Sequence, residues 1–241
     1  MKTEINRYIH EGIPVVEYTN NDSDKLIYVN HGIFGNKDQV MLLVGKALLR
    51  AGYRVVAIDA AKHGDRQEPP FDDKNNKNAR VEMFDVVHRS AHDILKIHHD
   101  IYAENYASFD ALGISMGGYT VYYLAMQSQA IDTIVAMISS PSFFASGIAD
   151  LLGEKSTLDQ RQKQELERQV RAIDPAQQPE EIRAKRIIAL NGSNDTVVPP
   201  EHAQTFKNDN PQLPVQVELF DTAHQISQAM TDRAIQLLQT R

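Results

Sequence analysis

The 241-residue chain contains no cysteine. That absence excludes a disulfide framework and every mechanism that needs a thiol, and it fits a reducing, cytoplasmic setting. No apolar run approaches the ~20 residues that a membrane span requires. The first ten residues carry charges where a signal peptide would be apolar. An excess of basic charge is lacking as well. The formal net charge is −7, and the Lys and Arg residues are dispersed, whereas a nucleic-acid partner calls for a basic face. The pair Gly117-Gly118 is not followed by the Lys-Ser/Thr that would hold a nucleotide phosphate. No internal repeat is present. What remains is a chain expected to act on a small molecule, with no cofactor, no nucleic acid and no membrane as partner.

Hydrophobic residues make up 42% of the sequence, ordinary for a globular protein, and the length suits one domain over 1–241. Glu4–His10 and Ile13–Tyr18 alternate in polarity around Gly12 and predict an antiparallel hairpin at a sheet edge. Leu26–Asn30, Val55–Ile58, Phe109–Leu112, Ile131–Ile138, Ile187–Leu190 and Val215–Phe220 are strand-like. Between them, Gln39 to Arg50 has helical spacing, with Val40, Leu43, Val44, Ala47 and Leu48 on one face. Met83 to Tyr102, Gly118 to Gln127 and Gln225 to Leu238 are further helices. Near-continuous apolar strands alternating with helices predict an α/β fold, a mostly parallel sheet covered on both faces.

Two segments break this rhythm. His63 to Arg80 is polar and reads as a long surface loop. Ser142 to Ile182 reads as a helical insertion at the rim. Its first part has an apolar face of Phe143, Phe144, Ile148, Leu151 and Leu152. Its second part, Thr157 to Arg171, is densely charged, with Leu158, Leu166, Val170 and Ile173 left to bury. A solvated hairpin, a small cap over an acyl pocket and a homodimer contact are the three readings.

The densest chemical signal is Gly113-Ile114-Ser115-Met116-Gly117, a serine between two glycines after an apolar strand and before a helix. Chance would produce the pattern about 0.03 times in this composition. A strand, a sharp turn and a helix make a nucleophile elbow, and glycine two residues to either side leaves room for the neighbouring backbone. A serine hydroxyl needs a base to take its proton, and the base needs a carboxylate to orient it. Asp195 comes after the strand Ile187–Leu190 in the turn-rich Asn191-Gly192-Ser193-Asn194-Asp195 and is the candidate acid. Asp174, inside the insertion, and Asp221, on the same connection as the histidine, are worse placed. His224, between the last strand and the closing helix, is the candidate base. The order Ser, Asp, His along the chain is the one this architecture uses.

An oxyanion hole needs two backbone donors. Met116, just after the serine, is one. Ile33, in Asn30-His31-Gly32-Ile33-Phe34-Gly35, is the other, with Phe34 as the alternative because the loop register is open. His31 reads as a brace of that loop; Asp59 with His63-Gly64-Asp65 reads as a pocket lining or, preferably, a second brace of the loop. No metal is expected. His88 and His92 share a helical face, but Arg89 stands where a zinc peptidase has glutamate.

Together the His31-Gly32 loop, the Gly113–Gly118 elbow, the Asn191–Pro199 acid loop and His224 resemble the α/β-hydrolase superfamily over almost the whole chain. Within it they resemble small bacterial serine esterases grouped with dienelactone hydrolases and prolyl-oligopeptidase-like enzymes. The resemblance implies an eight-stranded, mainly parallel sheet and hydrolysis through an acyl-enzyme. Dienelactone hydrolases proper have cysteine at the elbow, so their substrate is not implied. The aspartate of dehalogenases and epoxide hydrolases is absent, and the chain has no room for a peptidase propeller. The expectation is a serine carboxylesterase acting on short-acyl esters. A thioesterase or acyltransferase, a small peptidase or amidase, and a silent binding module are the rivals.

Overall fold

The computed structural model describes residues 3–20, 23–66, 79–145 and 158–240. Eight strands form one sheet: β1 (Glu4–His10), β2 (Ile13–Thr19), β3 (Lys25–Asn30), β4 (Tyr53–Ile58), β5 (Phe109–Ile114), β6 (Ile131–Met137), β7 (Arg186–Gly192) and β8 (Val215–Phe220). Their spatial order is β1-β2-β4-β3-β5-β6-β7-β8. β2 is antiparallel to both β1 and β4, and β3 to β8 are mutually parallel. The edge strands are the least buried: β1 is largely exposed and β8 half-buried, whereas the apolar β5, β6 and β7 lie inside the sheet. The predicted hairpin is present. Glu11 and Gly12 both adopt positive φ (47° and 81°), as a two-residue hairpin turn demands.

Alternation along the strands divides the core into two layers. On one face Leu26, Tyr28 and Ala111 pack with residues of α2 (Ala79–Ile97) and α3 (Met116–Gln127). On the other, Ile27, Val29 and Leu112 pack with the helix at 37–50, α1, and with α6 (Gln228–Gln239). The charged part of the insertion forms α4 (Gln160–Arg171), begun by a reciprocal cap between Asp159 and Gln162. α5 (Glu201–Asp209) links β7 to β8.

Four expectations need adjustment. In α1 the segment Met41–Gly45 is a π-turn, which inserts a residue into the helical repeat and rotates the next turn about the axis. Val40, Met41, Val44, Leu48 and Leu49 are buried, while Leu43, assigned to the buried face by its spacing, is 58% exposed. The second helix starts at Ala79 and ends in another π-turn, His98–Tyr102, leaving Ile101 only half-buried. The closing helix starts at Gln228, where Ser227 accepts from the Met230 N–H, so residues 225–227 belong to the loop carrying His224. The polar 63–80 segment opens with a buried His63, and its residues 67–78 lie outside the described residues. So do Ile148, Leu151 and Leu152 of the insertion. Phe143 is buried and stacks on Phe84 of α2 (5.1 Å).

Because the parallel strands all end at one edge of the sheet, the loops after β3, β4, β5, β6, β7 and β8 meet there. That edge carries Ser115, Asp195 and His224.

Candidate active site

Ser115 comes directly after β5 with φ 52° and ψ −114°, a conformation that a residue with a side chain rarely adopts. Backbone crowding explains the flanking glycines. A Cβ on Gly113 would lie 2.0 Å from the Gly117 carbonyl oxygen, and one on Gly117 would lie 2.3 Å from that of Asn30. The turn is pinned from the sheet as well, since the Ser115 N–H donates to the Met137 carbonyl (2.9 Å).

Asp195 and His224 arrive on neighbouring loops that are stitched together. The Ser193 N–H donates to the Phe220 carbonyl (2.7 Å), and the Asn194 N–H to that of Thr222 (3.0 Å). Gly192 permits the contact: a Cβ there would sit 2.4 Å from the carbonyl oxygens of Thr222 and Ala223. The Asp195 side chain is fully buried. Its Oδ1 accepts from the N–H groups of Val197 and Val198, both at 2.9 Å, and its Oδ2 lies 2.8 Å from His224 Nδ1. A carboxylate only accepts, so Nδ1 carries the ring proton, and Nε2 is left with a lone pair. That lone pair faces Ser115 Oγ at 3.0 Å. Three side chains drawn from distant parts of the sequence thus form one unbroken hydrogen-bonded chain. Asp221, the neighbouring acid, is exposed and accepts from Asn194 Nδ2 (2.8 Å). Asp174 is buried but accepts the N–H groups of Phe144 (2.8 Å) and Ala176 (3.0 Å), bracing the base of the insertion.

Ser115 and His224 open into a cavity of about 530 Å³, walled by Ile33, Phe34, Met83, Tyr119, Ile138 and Val197 among others. Ile138 has φ 47°, a strained position for a β-branched residue, fixed by its N–H donating to the Leu190 carbonyl (2.8 Å). Among the described residues no acceptor meets the backbone N–H of Met116, Ile33 or Phe34; Ile33 and Phe34 wall the cavity, and the buried Met116 follows Ser115 directly in the chain.

The sequence matches the alpha/beta hydrolase fold family over residues 25–167. The chain belongs to that family. TT1662 from Thermus thermophilus is similar in structure, with a TM-score of 0.82 at 19% identity over 99% of this chain and 97% of that one. The Pyrococcus furiosus esterase Pf2001 superposes with a TM-score of 0.66 at 19% identity, covering 99% of this chain and 90% of its own. Acetyl xylan esterase 1 from Thermoanaerobacterium gives 0.70 at 17% identity, over 99% and 87%. At such identities the likeness is one of fold. Among curated proteins none matches the sequence.

In this α/β hydrolase the Ile33 loop is held by two buried devices. His31 Nε2 accepts from the Ala60 N–H (3.0 Å), so Nδ1 bears the proton and donates to the Gly32 carbonyl (2.7 Å). Burial is the main cause that lowers the His31 pKa to about 4, and the ring is neutral at neutral pH. The second device is the fully buried Asp59. It accepts from the Lys37 N–H (2.8 Å), the Lys37 ammonium (2.9 Å) and the Asp65 N–H (2.9 Å). Lys37 also reaches Asp65 (2.6 Å). Burial opposes the Lys37 charge, and the two carboxylates outweigh it, so its pKa rises. The bracing expected of His31 and Asp59 has this geometry. Lys37, the partner that neutralises Asp59, carries no signal in the sequence, because a lone lysine at a helix start looks like a solvated one. Tyr119, Met83 and Ile138 carry no local signal as cavity walls either.

Among the described residues one group of three possible metal ligands occurs, His10, Glu11 and Asp100. Lys96 pairs with both carboxylates there (3.1 and 2.8 Å), so the group reads as an ion-pair cluster. No helix among the described residues is long and apolar enough to cross a membrane.

Proposed function

We propose that this α/β hydrolase is a serine carboxylesterase that cleaves short-acyl esters of small molecules. The observation that carries the reading is the Ser115–His224–Asp195 hydrogen-bonded chain, at 3.0 and 2.8 Å, opening into an apolar cavity. Ser115 Oγ attacks the ester carbonyl while His224 Nε2 takes its proton. Asp195 holds the imidazole and stabilises its protonated form. The N–H groups of Met116 and Ile33, or of Phe34 beside it, receive the oxyanion. His224 returns the proton to the leaving alcohol, and water, activated the same way, releases the acid. The esterase relatives by fold support the reaction class. The preference for short acyl chains is supported by α4, whose buried residues Leu166 and Val170 pack in the core cluster with Phe84 and not around the cavity.

The test is a panel of p-nitrophenyl esters from acetate to octadecanoate, with matched thioesters and anilides, run with and without a fluorophosphonate. Covalent labelling of Ser115 with fastest turnover of acetate to butyrate is the expected result. Faster turnover of long chains, thioesters or anilides would reassign the substrate, and catalysis untouched by the fluorophosphonate would overturn the mechanism.

A further inference from the structure

Away from Ser115, two side chains are arranged as a ligand pair. His88 and His92 stand one turn apart near the middle of α2, and their Nε2 atoms lie 3.2 Å from one another. Residues four apart on a helix share a face, but two imidazoles on that face have rotamers that would separate their nitrogens. Here the rings converge, with centroids 4.5 Å apart and planes at 64°. Tyr123 of α3 backs both of them, at 5.3 Å from His88 and 6.1 Å from His92.

The spacing is that of a chelate. Metal–imidazole bonds of about 2.05 Å place two ligating nitrogens about 2.9 Å apart at a right angle and about 3.3 Å apart at a tetrahedral one. The observed separation falls inside that interval. A single N–H···N hydrogen bond spans the same distance, with one ring donating. That arrangement needs only a shift of the donor's proton to its Nδ1 to present two lone pairs. The Asp85 carboxylate, one turn earlier, pairs with the Arg89 guanidinium (3.8 Å).

We propose that His88 and His92 bind one divalent transition-metal ion of the imidazole-preferring class, such as Zn²⁺, through their Nε2 atoms, with water filling the remaining positions. Arg89 in place of a glutamate excludes a zinc-peptidase centre but does not bear on a two-histidine clip. The ion bridges one turn of the helix whose earlier residues serve the active-site end: Met83 walls the cavity, and Phe84 packs on Phe143 and Tyr119. Its effect is to fix that helix and not to activate water for the ester.

The experiment uses untagged, metal-stripped protein and Zn²⁺ in competition with a chromophoric chelator, with thermal unfolding followed in parallel. One Zn²⁺ per chain and a Tm that rises with Zn²⁺ are expected. His92→Gln and His88→Gln should each weaken uptake by roughly 10–100-fold, at least the loss seen when a mere supporting partner of a ligand is removed. His99→Gln, an exposed histidine later on the same stretch, should leave uptake unchanged. Agreement of the metal-free variants with wild type in circular dichroism and Tm separates ligand loss from unfolding. No stoichiometric uptake by wild type, or uptake retained in both His88→Gln and His92→Gln, overturns the proposal.

Discussion

Two cavities of similar size lie at opposite ends of this sheet, and each has a buried carboxylate within its hydrogen-bond network. At the carboxyl ends of the strands, Asp195 sits behind a cavity of about 530 Å³. At the amino ends, Glu17 lines one of about 600 Å³ with Arg54, Tyr102 and Tyr106. The difference is in how the hydrogen bonds end. Glu17 accepts from Arg54 Nη1 (2.8 Å) and from the Tyr102 hydroxyl (2.6 Å), which also meets Tyr8 (2.9 Å). Burial, and then Glu17, push the Tyr102 pKa up, so the phenol keeps its proton and Glu17 is left facing donors that are already engaged. At the other end Asp195 passes its influence through a histidine to a hydroxyl held at the cavity wall. On the function proposed above, a buried carboxylate serves catalysis when its chain of donors ends on an open lone pair next to a reactive atom. When the donors saturate one another it is a structural brace. Volume does not separate the two cases.

The sharpest way to break this comparison is to remove the open end. Ser115→Ala should abolish ester turnover, by on the order of 10⁶ in kcat, and leave Tm nearly unchanged because a half-exposed hydroxyl leaves no cavity. Tyr102→Phe, which removes a hydroxyl from the closed network, should leave kcat alone. Stopped assays with p-nitrophenyl acetate and a calorimetric scan read both outcomes. Next in size, Asp195→Asn should lower kcat by about 10⁴, through the wrong imidazole tautomer. Its counterpart Glu17→Gln should spare kcat and lower stability by about 1–3 kcal/mol, as its donors lose a charged acceptor. Equal losses of activity from the two substitutions would erase the distinction.

A third substitution tests whether the active end is also held by a saturated network. Lys37→Met leaves Asp59 buried with two backbone donors and no counter-charge. Breaking a buried pair from one side costs about 3–5 kcal/mol. Urea unfolding should show that loss, and ester turnover measured well below the new midpoint should fall as well, because Lys37 lies four residues after Ile33 on the same stretch of chain. Unchanged stability would mean that Asp59 is neutralised by other means.

These devices are unequally visible in the sequence. The triad is legible because each member has a positional signature: glycines beside Ser115, turn formers around Asp195, a strand end before His224. The sheet is legible because buried parallel strands are nearly continuous apolar runs. The π-turn at Met41–Gly45 is not, because it changes the helical period without changing composition, and Leu43 within it lies at the surface. The Lys37–Asp59 pair joins residues 22 apart that no local pattern relates. The convergence of His88 and His92 depends on rotamers backed by Tyr123 of another helix, so spacing alone places them on one face but does not point them at one another.

The remaining test concerns the neutral histidine that braces the Ile33 loop, whose effect shows only as a pH dependence of stability. His31 has a pKa of about 4 in the folded chain against about 6.5 when unfolded. Below its ordinary pKa the unfolded chain takes up a proton that the folded chain refuses, so the unfolded state gains as pH falls. The stability that His31 contributes is complete above pH ~6.5, is lost between pH ~6.5 and ~4, and amounts to about 3 kcal/mol. His31→Gln keeps one acceptor and one donor without a proton to gain, so its stability profile should be flatter than wild type across that interval, with wild type losing stability relative to the variant as pH falls toward 4. Parallel profiles for the two proteins would show that the ring is protonated in the native loop, and that the Ala60 N–H is not its partner.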